Sequence, residues 1–182
     1  MVLCTIALTI VSVVLGLCLG STRVAPADFM HALLSGDITD SAYRIVVHSR
    51  LPRVLGALLA GSALAVSGAI LQAVLQNPLA SPNIIGVNAG AGLLVLLCSA
   101  FLPSHPALLP FSAFLGALFT ALIIFALAMG PGVSRITLVL TGIAMSSILG
   151  AGMNCIMILY PDAYIGASTF LVGGLSGLTL KS

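Results

Sequence analysis

The chain has 182 residues, of which 60% are hydrophobic and only 5% are charged, and its mean hydropathy is +1.26. Soluble domains carry about 25% charged residues, so this composition excludes a water-soluble globular protein and predicts an integral membrane protein. The net charge of +2 says nothing about nucleic acid, but the sequence has no basic cluster that could hold its phosphates, so we expect no nucleic-acid partner. The cysteines lie in apolar runs without metal-type spacing, so we predict small buried side chains and no metal or other cofactor; they are Cys4, Cys18, Cys98 and Cys155.

Apolar stretches long enough to cross a membrane recur along the chain. A spanning helix needs about 20 apolar residues. Five stretches qualify, at about 2–20, 54–75, 84–102, 108–130 and 136–160. The first lacks a basic leading segment and a convincing cleavage site, so we expect it to be retained and not removed as a signal peptide. The predicted fold is all-α: a polytopic transmembrane helical bundle of about five spans, forming one domain over residues 1–182.

The longest connector, residues 21–51, holds most of the charge. Within it, residues 26–36 are predicted to form a short surface helix. Pro26 suits a first helical position, and Gly36 suits a helix end.

Two basic residues, Arg50 and Arg53, stand at the end of this connector, directly before the second span. Because Pro52 disfavours helical geometry at Leu51, we predict that the second span begins at the proline. A cation in the first turn of a helix is unfavourable by about 0.3–1 kcal/mol, so the pair is not placed for helix stability. Two interpretations stay open: the arginines reach lipid phosphates, or they dock an acidic partner surface.

Small residues crowd the second span, whereas the fourth is bulky. A ridge with a spacing of four residues, typical of close helix contacts in lipid, is formed by Ala57, Gly61, Ala65 and Ala69. We therefore predict that the second span is central in the bundle. The aromatic fourth span is predicted to face lipid.

A polar segment with two prolines separates the second and third spans. Its helix-breaking and polar residues are Asn77, Pro78, Pro82 and Asn83. The simpler interpretation is a tight turn in water. The alternative is a re-entrant segment near a transport pathway.

The fifth span carries the most polar side chains, and three are candidates for a translocation path: Thr141, Ser147 and Asn154. Asn88 in the third span is a weaker candidate. Hydroxyl side chains in spans also serve as hydrogen-bonding contacts between helices, and this alternative stays open. No Asp, Glu or His lies within a predicted span, which argues against an intramembrane protease and a conventional proton relay. No phosphate-cradling loop is present either, so we predict a non-enzymatic chain whose ATP hydrolysis, if any, occurs in a separate subunit.

The arginine pair and the segments around it resemble the FecCD-type permeases, the membrane subunits of ABC importers for iron-siderophores, haem and cobalamin. The matching segments are residues 50–61, 67–73, 77–82, 86–91, 138–144 and 170–177. They are spread over essentially the whole chain. The resemblance implies a permease of the bacterial inner membrane that moves an iron-siderophore or a related metal chelate. A cobalamin or haem permease is the alternative, as is an inactive remnant or scaffold.

The same resemblance implies partners and site roles. The partners are cytoplasmic ATPase subunits, a periplasmic or lipid-anchored substrate-binding protein, a second permease subunit in a homo- or heterodimer, and membrane lipid. By position, Arg50 and Arg53 match a basic pair on the outer face that meets acidic residues of the binding protein. The fifth span matches a helix that lines the path.

Two features depart from the family pattern. The resemblance implies about as much sequence again after Ser182, including the segment that contacts the ATPase, so the chain corresponds to an N-terminal half. The positive-inside rule would place residues 21–51 in the cytoplasm, whereas the family topology places them outside. We expect the family topology, because Arg50 and Arg53 then have a functional reason to lie outside.

Overall fold

The computed structural model describes residues 2–20, 43–78, 80–83, 85–128 and 134–175. The predicted surface helix at 26–36 lies outside these residues. The secondary structure that they form is entirely helical. The elements are α1 (Val2–Cys18), a π-helical segment (Arg44–Arg50) that continues into α2 (Leu51–Leu75), α3 (Val87–Phe101), a 3-10 turn (Pro106–Leu108), α4 (Leu109–Ala128), α5 (Arg135–Leu159) and α6 (Pro161–Leu171).

Three helical stretches in the described part of the chain are long and apolar enough to cross a membrane: Arg44–Leu75, Pro106–Leu127 and Ile136–Leu159. The first and third predicted spans form shorter apolar helices, α1 with 17 residues and α3 with 15 residues. The protein is therefore an all-α chain built from apolar helices. It divides into two compact units, one comprising 1–62 and 175–182 and the other comprising 63–174.

In the first unit, the helical backbone runs straight through the proline that was expected to start it. Leu51 has φ −57° and ψ −48°, and its N–H donates to the carbonyl of Val46, five residues earlier. The prediction that the second span begins at Pro52 is therefore wrong. Proline cannot donate a backbone bond, and its ring crowds the carbonyl four residues earlier. The wider turn of the π-helical segment Arg44–Arg50 accommodates the ring without ending the helix.

In the second unit, α3 packs against α4, α5 and α6. Its Val95 and Leu96 are fully buried in a cluster with Ala113 of α4 and Ala167 of α6. Gly90 of α3 and Gly116 of α4 meet so closely that a Cβ on Gly116 would lie 2.8 Å from the carbonyl carbon of Gly90. Glycines thus allow a close backbone approach between the third and fourth spans.

The small-residue ridge of α2 lies open in the described structure. A Cβ added at Gly61 or Gly68 would have nothing within 4 Å, and the ridge residues are exposed. A small-residue spacing marks a surface that can pack closely but does not identify the partner that covers it, so the central position of this helix stays a prediction.

Two further expectations can be compared with the structure. The phenylalanines of α4 are exposed, as predicted for a lipid-facing helix; they are Phe111, Phe114, Phe119 and Phe125. Cys4 and Cys155 are also exposed, so the prediction of buried thiols is wrong for these two. Both lie on the outer faces of apolar helices, where lipid can replace core contacts. Helix α6 was missed, although Pro161 at its first position and Asp162 in its first turn are typical of a helix start.

Candidate functional site

Arg50 lies buried against the end of α1. Its Nη1 donates to the backbone carbonyl of Leu17 at 2.7 Å and to that of Cys18 at 2.8 Å, and the residue is 8% exposed. The last four carbonyls of a helix have no partner within the helix. Here the N–H of Leu19 donates to the carbonyl of Leu15, and Arg50 donates to two of the remaining carbonyls. A cation at a helix C-terminus is also favoured by the helix dipole.

Arg53, one turn further along, has an exposed side chain. It lines an open cavity of about 160 Å³ together with Arg50, Gly16, Gly20 and other residues of the first unit. It also borders a larger groove of about 490 Å³ along α1. The structure therefore brings the two predicted docking arginines to one end of the first unit, but it buries one and exposes the other.

The break between α2 and α3 begins at Gln76, whose φ of 49° is left-handed and ends the helix. The N–H of Asn77 bonds the carbonyl of Gln72 at 3.2 Å, and the carbonyl of Asn77 accepts from the N–H of Ala80 at 3.1 Å. Two of the predicted helix-break residues, Pro78 and Pro82, lie in the same non-helical connection, which extends to the start of α3 at Val87.

The connection folds back into the second unit. Ala80 is 4% exposed and Ile85 is 6% exposed, and both join Leu75 and Ile124 in a core cluster. Buried irregular backbone in a membrane chain must find its hydrogen bonds within the protein. The connection therefore packs apolar side chains into the second unit, and both interpretations of the polar segment, a tight turn in water and a re-entrant segment, stay predictions.

A close backbone contact attaches this connection to α5. Gly86 has φ +86°, a conformation that side chains rarely adopt, and a Cβ there would lie 2.9 Å from the carbonyl oxygen of Gly142. A Cβ on Gly142 would lie 2.8 Å from Cα and 2.9 Å from the carbonyl oxygen of Ile85. Sequence reasoning missed this contact. The spacing of four residues between Gly142 and Ser146 was the available signal, because small residues at that spacing permit close approach.

The two asparagines that flank the start of α3 are paired. The amide nitrogen of Asn88 donates to the side-chain oxygen of Asn83, and both residues are exposed. Asn88 also lines an apolar groove of about 520 Å³, together with Ser67 of α2, Pro82 and Leu138 of α5. The connection therefore places a carboxamide pair beside an apolar groove.

The polar residues of α5 do not share one face. Ser147 and Asn154 are seven residues apart, which places them within about 20° of each other on a helix with 3.6 residues per turn. Thr141 lies roughly 140° around the helix from Asn154 by the same measure, and it is less exposed.

The hydroxyls of Thr141 and Ser147 bond carbonyls of their own helix, of Thr137 at 2.8 Å and of Ile143 at 3.0 Å. The carboxamide of Asn154 is exposed and makes no hydrogen bond within the described residues. The geometry thus joins two of the three path candidates on one exposed face. Asn154 has the greatest remaining capacity to bind a ligand group there.

Comparison with known proteins gives one family. A family model described as the FecCD transport family matches residues 8–182. The chain is 36% identical over 170 residues to the Fe(3+)-citrate import system permease protein YfmE of Bacillus subtilis, covering 92% of this chain and 50% of that protein. It is 37% identical over 177 residues to the achromobactin transport system permease protein CbrC of Dickeya dadantii, covering 96% of this chain and 50% of that one.

A third similar protein is the iron(3+)-hydroxamate import system permease protein FhuG of Bacillus subtilis, with 34% identity over 95% of this chain and 54% of that protein. A solved structure of a metal-chelate type ABC transporter in an inward-facing conformation aligns with a TM-score of 0.76 and 24% identity, covering 95% of this chain and 53% of that chain. That likeness supports the helical fold.

The chain therefore spans about half the length of the relatives that it matches. The family match begins within α1 and extends beyond α6, so it includes the arginine pair, the connection and α5. The chain belongs to the FecCD transport family.

Proposed function

We propose that this chain is a transmembrane permease portion of an ATP-binding-cassette importer that moves an iron-siderophore or a related ferric chelate across the inner membrane of a bacterium. The observation that carries the proposal is the family match over residues 8–182. The names of similar proteins, which include permeases for ferric citrate, achromobactin and ferric hydroxamate, support an iron chelate as the cargo.

The proposed assembly has several chains. Cytoplasmic ATPase subunits would supply energy, and a substrate-binding protein would deliver the chelate from outside. A second permease subunit, identical or different, would complete the pathway. This division agrees with a sequence that contains no phosphate-cradling loop and no acidic residue in its predicted spans.

The proposed path is lined by neutral polar groups. Ser147 and Asn154 share an exposed face of α5, and Asn88 lies beside an apolar groove. A carboxamide can donate to and accept from the oxygen atoms of a chelate. Neutral hydrogen bonds hold a bulky cargo weakly, and weak binding lets it leave again. Selectivity would then reside mainly in the binding protein.

The proposed docking end is the arginine pair, with Arg50 and Arg53 lying outside the membrane on the side where the binding protein arrives. Guanidinium groups suit carboxylates because they offer planar paired donors. The shared small cavity supports this assignment, since both side chains border it.

The test is uptake together with co-purification. Cells that carry the complete import system would be compared with cells in which the gene for this chain is deleted, using radiolabelled ferric citrate, a ferric hydroxamate and haem. We expect uptake of at least one ferric chelate to fall on deletion and to return on complementation, with an ATPase subunit retained by the tagged chain. Unchanged uptake of all three cargoes, with no ATPase retained, would contradict the proposal.

A further inference from the structure

We infer that Arg44, His48 and Ser49 form a binding site for the phosphate group of an anionic phospholipid, on the face of the π-helical segment opposite its buried side. The site is distinct from the predicted docking pair, Arg50 and Arg53. The inference goes beyond the proposed function and does not depend on it.

The π-helical segment has two different faces. Val46 and Arg50 are buried, with 1% and 8% exposure, and Arg50 bonds the end of α1. In a π-helix each backbone hydrogen bond spans five residues, so side chains four and five positions apart lie on the same face. Arg44 therefore aligns with His48 and Ser49, and the three residues line one open cavity of about 400 Å³. The segment thus gathers a guanidinium, an imidazole and a hydroxyl at one place.

The cavity lies at the level of the lipid headgroups. The continuous helical stretch Arg44–Leu75 has 32 residues, which corresponds to about 48 Å at a rise of about 1.5 Å per residue. The hydrocarbon core of a bilayer is about 30 Å thick, and the whole bilayer with its headgroups is about 40–45 Å thick. All charged residues of the stretch lie between Arg44 and Arg53. This end therefore extends out of the hydrocarbon and into the headgroup region.

The cavity offers hydrogen-bond donors that the protein does not use. The side chains of Arg44, His48 and Ser49 make no hydrogen bond or ion pair within the described residues. The described residues of the first unit carry three arginines and no Asp or Glu, so their electrostatic potential favours an anion. A phosphate group has several acceptor oxygens and suits the planar donors of a guanidinium.

His48 is oriented by its neighbour. Its ring makes an edge contact with the ring of Tyr43, with 6.2 Å between the ring centroids. Its Nδ1 is buried and has no hydrogen-bond partner in the described structure. Buried N–H donors without a partner are rarer than buried acceptors without one. We therefore place the hydrogen on Nε2, which is the nitrogen that the ring can present to a ligand.

The fourth residue of the cavity favours a lipid over a free phosphate ion. Ile45 lines the cavity beside the three polar residues. Its side chain can contact the apolar part of a phospholipid, whereas a free phosphate ion gains nothing from an apolar neighbour. The cavity volume is also within the range of about 300–1,000 Å³ that is typical of small-molecule sites.

The experiment measures the binding of radiolabelled phosphatidylglycerol to the complete permease complex, purified in detergent and immobilised by a tag. Unlabelled phosphatidylglycerol, phosphatidylcholine and inorganic phosphate are compared as competitors. The test variants are Arg44→Gln and His48→Phe. Phenylalanine keeps a ring against Tyr43 and removes the buried nitrogen that has no partner, so the His48→Phe complex should assemble as the wild type does.

Two control variants are matched to the site. Arg135→Gln removes the same charge as Arg44→Gln, but at the start of α5. Ser62→Ala removes an exposed hydroxyl from α2 and is compared with Ser49→Ala.

We expect phosphatidylglycerol to displace the label from the wild type at concentrations at least fivefold lower than phosphatidylcholine, and millimolar inorganic phosphate not to displace it. Affinity for phosphatidylglycerol should fall at least fivefold in Arg44→Gln and at least threefold in His48→Phe. It should fall about twofold in Ser49→Ala, and both control variants should bind as the wild type does.

Wild-type affinity in both Arg44→Gln and His48→Phe would overturn the site. An equal loss in Arg135→Gln would show a general effect of charge and would overturn it as well. Displacement by inorganic phosphate would identify a free anion as the ligand instead of a lipid. Unchanged lipid binding in Arg44→Gln, with weaker binding of the substrate-binding protein, would assign Arg44 to protein docking and contradict the inference.

Discussion

Replacing Gly142 by alanine tests the close contact between the connection and α5. A Cβ there would lie 2.8–3.1 Å from three backbone atoms of Ile85, whereas carbon atoms in comfortable contact are about 3.5–4.0 Å apart. Backbone atoms cannot rotate away, so the connection must shift. Such overpacking costs about 1–3 kcal/mol. The matched control is Gly150→Ala on the same helix, where an added Cβ has nothing within 4 Å.

Alanine favours a helix over glycine by about 1 kcal/mol at both positions, so the difference in unfolding free energy between the two variants isolates the packing cost. A difference of about 1–3 kcal/mol corresponds to about 2–12 °C in the midpoint of thermal unfolding for a chain of this size. The assay is thermal unfolding in detergent. Unfolding is monitored by the reaction of Cys18 and Cys98 with a fluorescent maleimide, in variants whose Cys4 and Cys155 are replaced by serine. Equal midpoints for the two variants would refute the proposed close contact.

Two further predictions concern the same region and the path. Gly86→Ala combines a left-handed φ with a steric clash, whereas Gly173→Ala has φ +69° and open space. We expect both substitutions to destabilise the fold by about 1–2 kcal/mol through backbone strain, and Gly86→Ala to carry an added packing cost. Equal losses of stability in thermal unfolding would contradict the clash at Gly86. Asn154→Leu should leave the amount of protein in the membrane unchanged but lower ferric chelate uptake at least threefold. Ile148→Leu, another exposed position on α5, is the control, and unimpaired uptake by Asn154→Leu would remove Asn154 from the path.

The membrane class and the helical architecture could be predicted from the sequence, because both follow from the average properties of long apolar stretches. The start of α2 could not, since the rule that proline interrupts a helix does not anticipate a π-helical segment that accommodates Pro52. The open ridge around Gly61 shows a second limit. Spacing identifies a surface that can pack closely, but the partner is set by tertiary structure.

The candidate site was predictable as a set of residues and less so as an arrangement. Arg50 and Arg53 stand out in the sequence because no Asp, Glu, Lys or Arg follows them until Arg135. Arg50 is buried because it bonds the end of α1, and the local sequence of residues 50–53 does not predict where α1 ends. Similarly, the polar character of α5 is visible in the sequence. The missing hydrogen-bond partner of Asn154 within the described residues emerges only from the structure.

The central claim is that the arginine-bearing end of this membrane chain faces the exterior, where a binding protein can reach it. The most direct measurement is the labelling of Arg53→Cys by a membrane-impermeant maleimide, in a background with all four native cysteines replaced by serine. Right-side-out inner-membrane vesicles are compared with detergent-permeabilised ones. We predict that the cysteine is labelled to the same extent in both, because Arg53 is exposed and the proposed topology places it outside. Labelling only after permeabilisation would place this end in the cytoplasm and contradict the proposed topology and docking role.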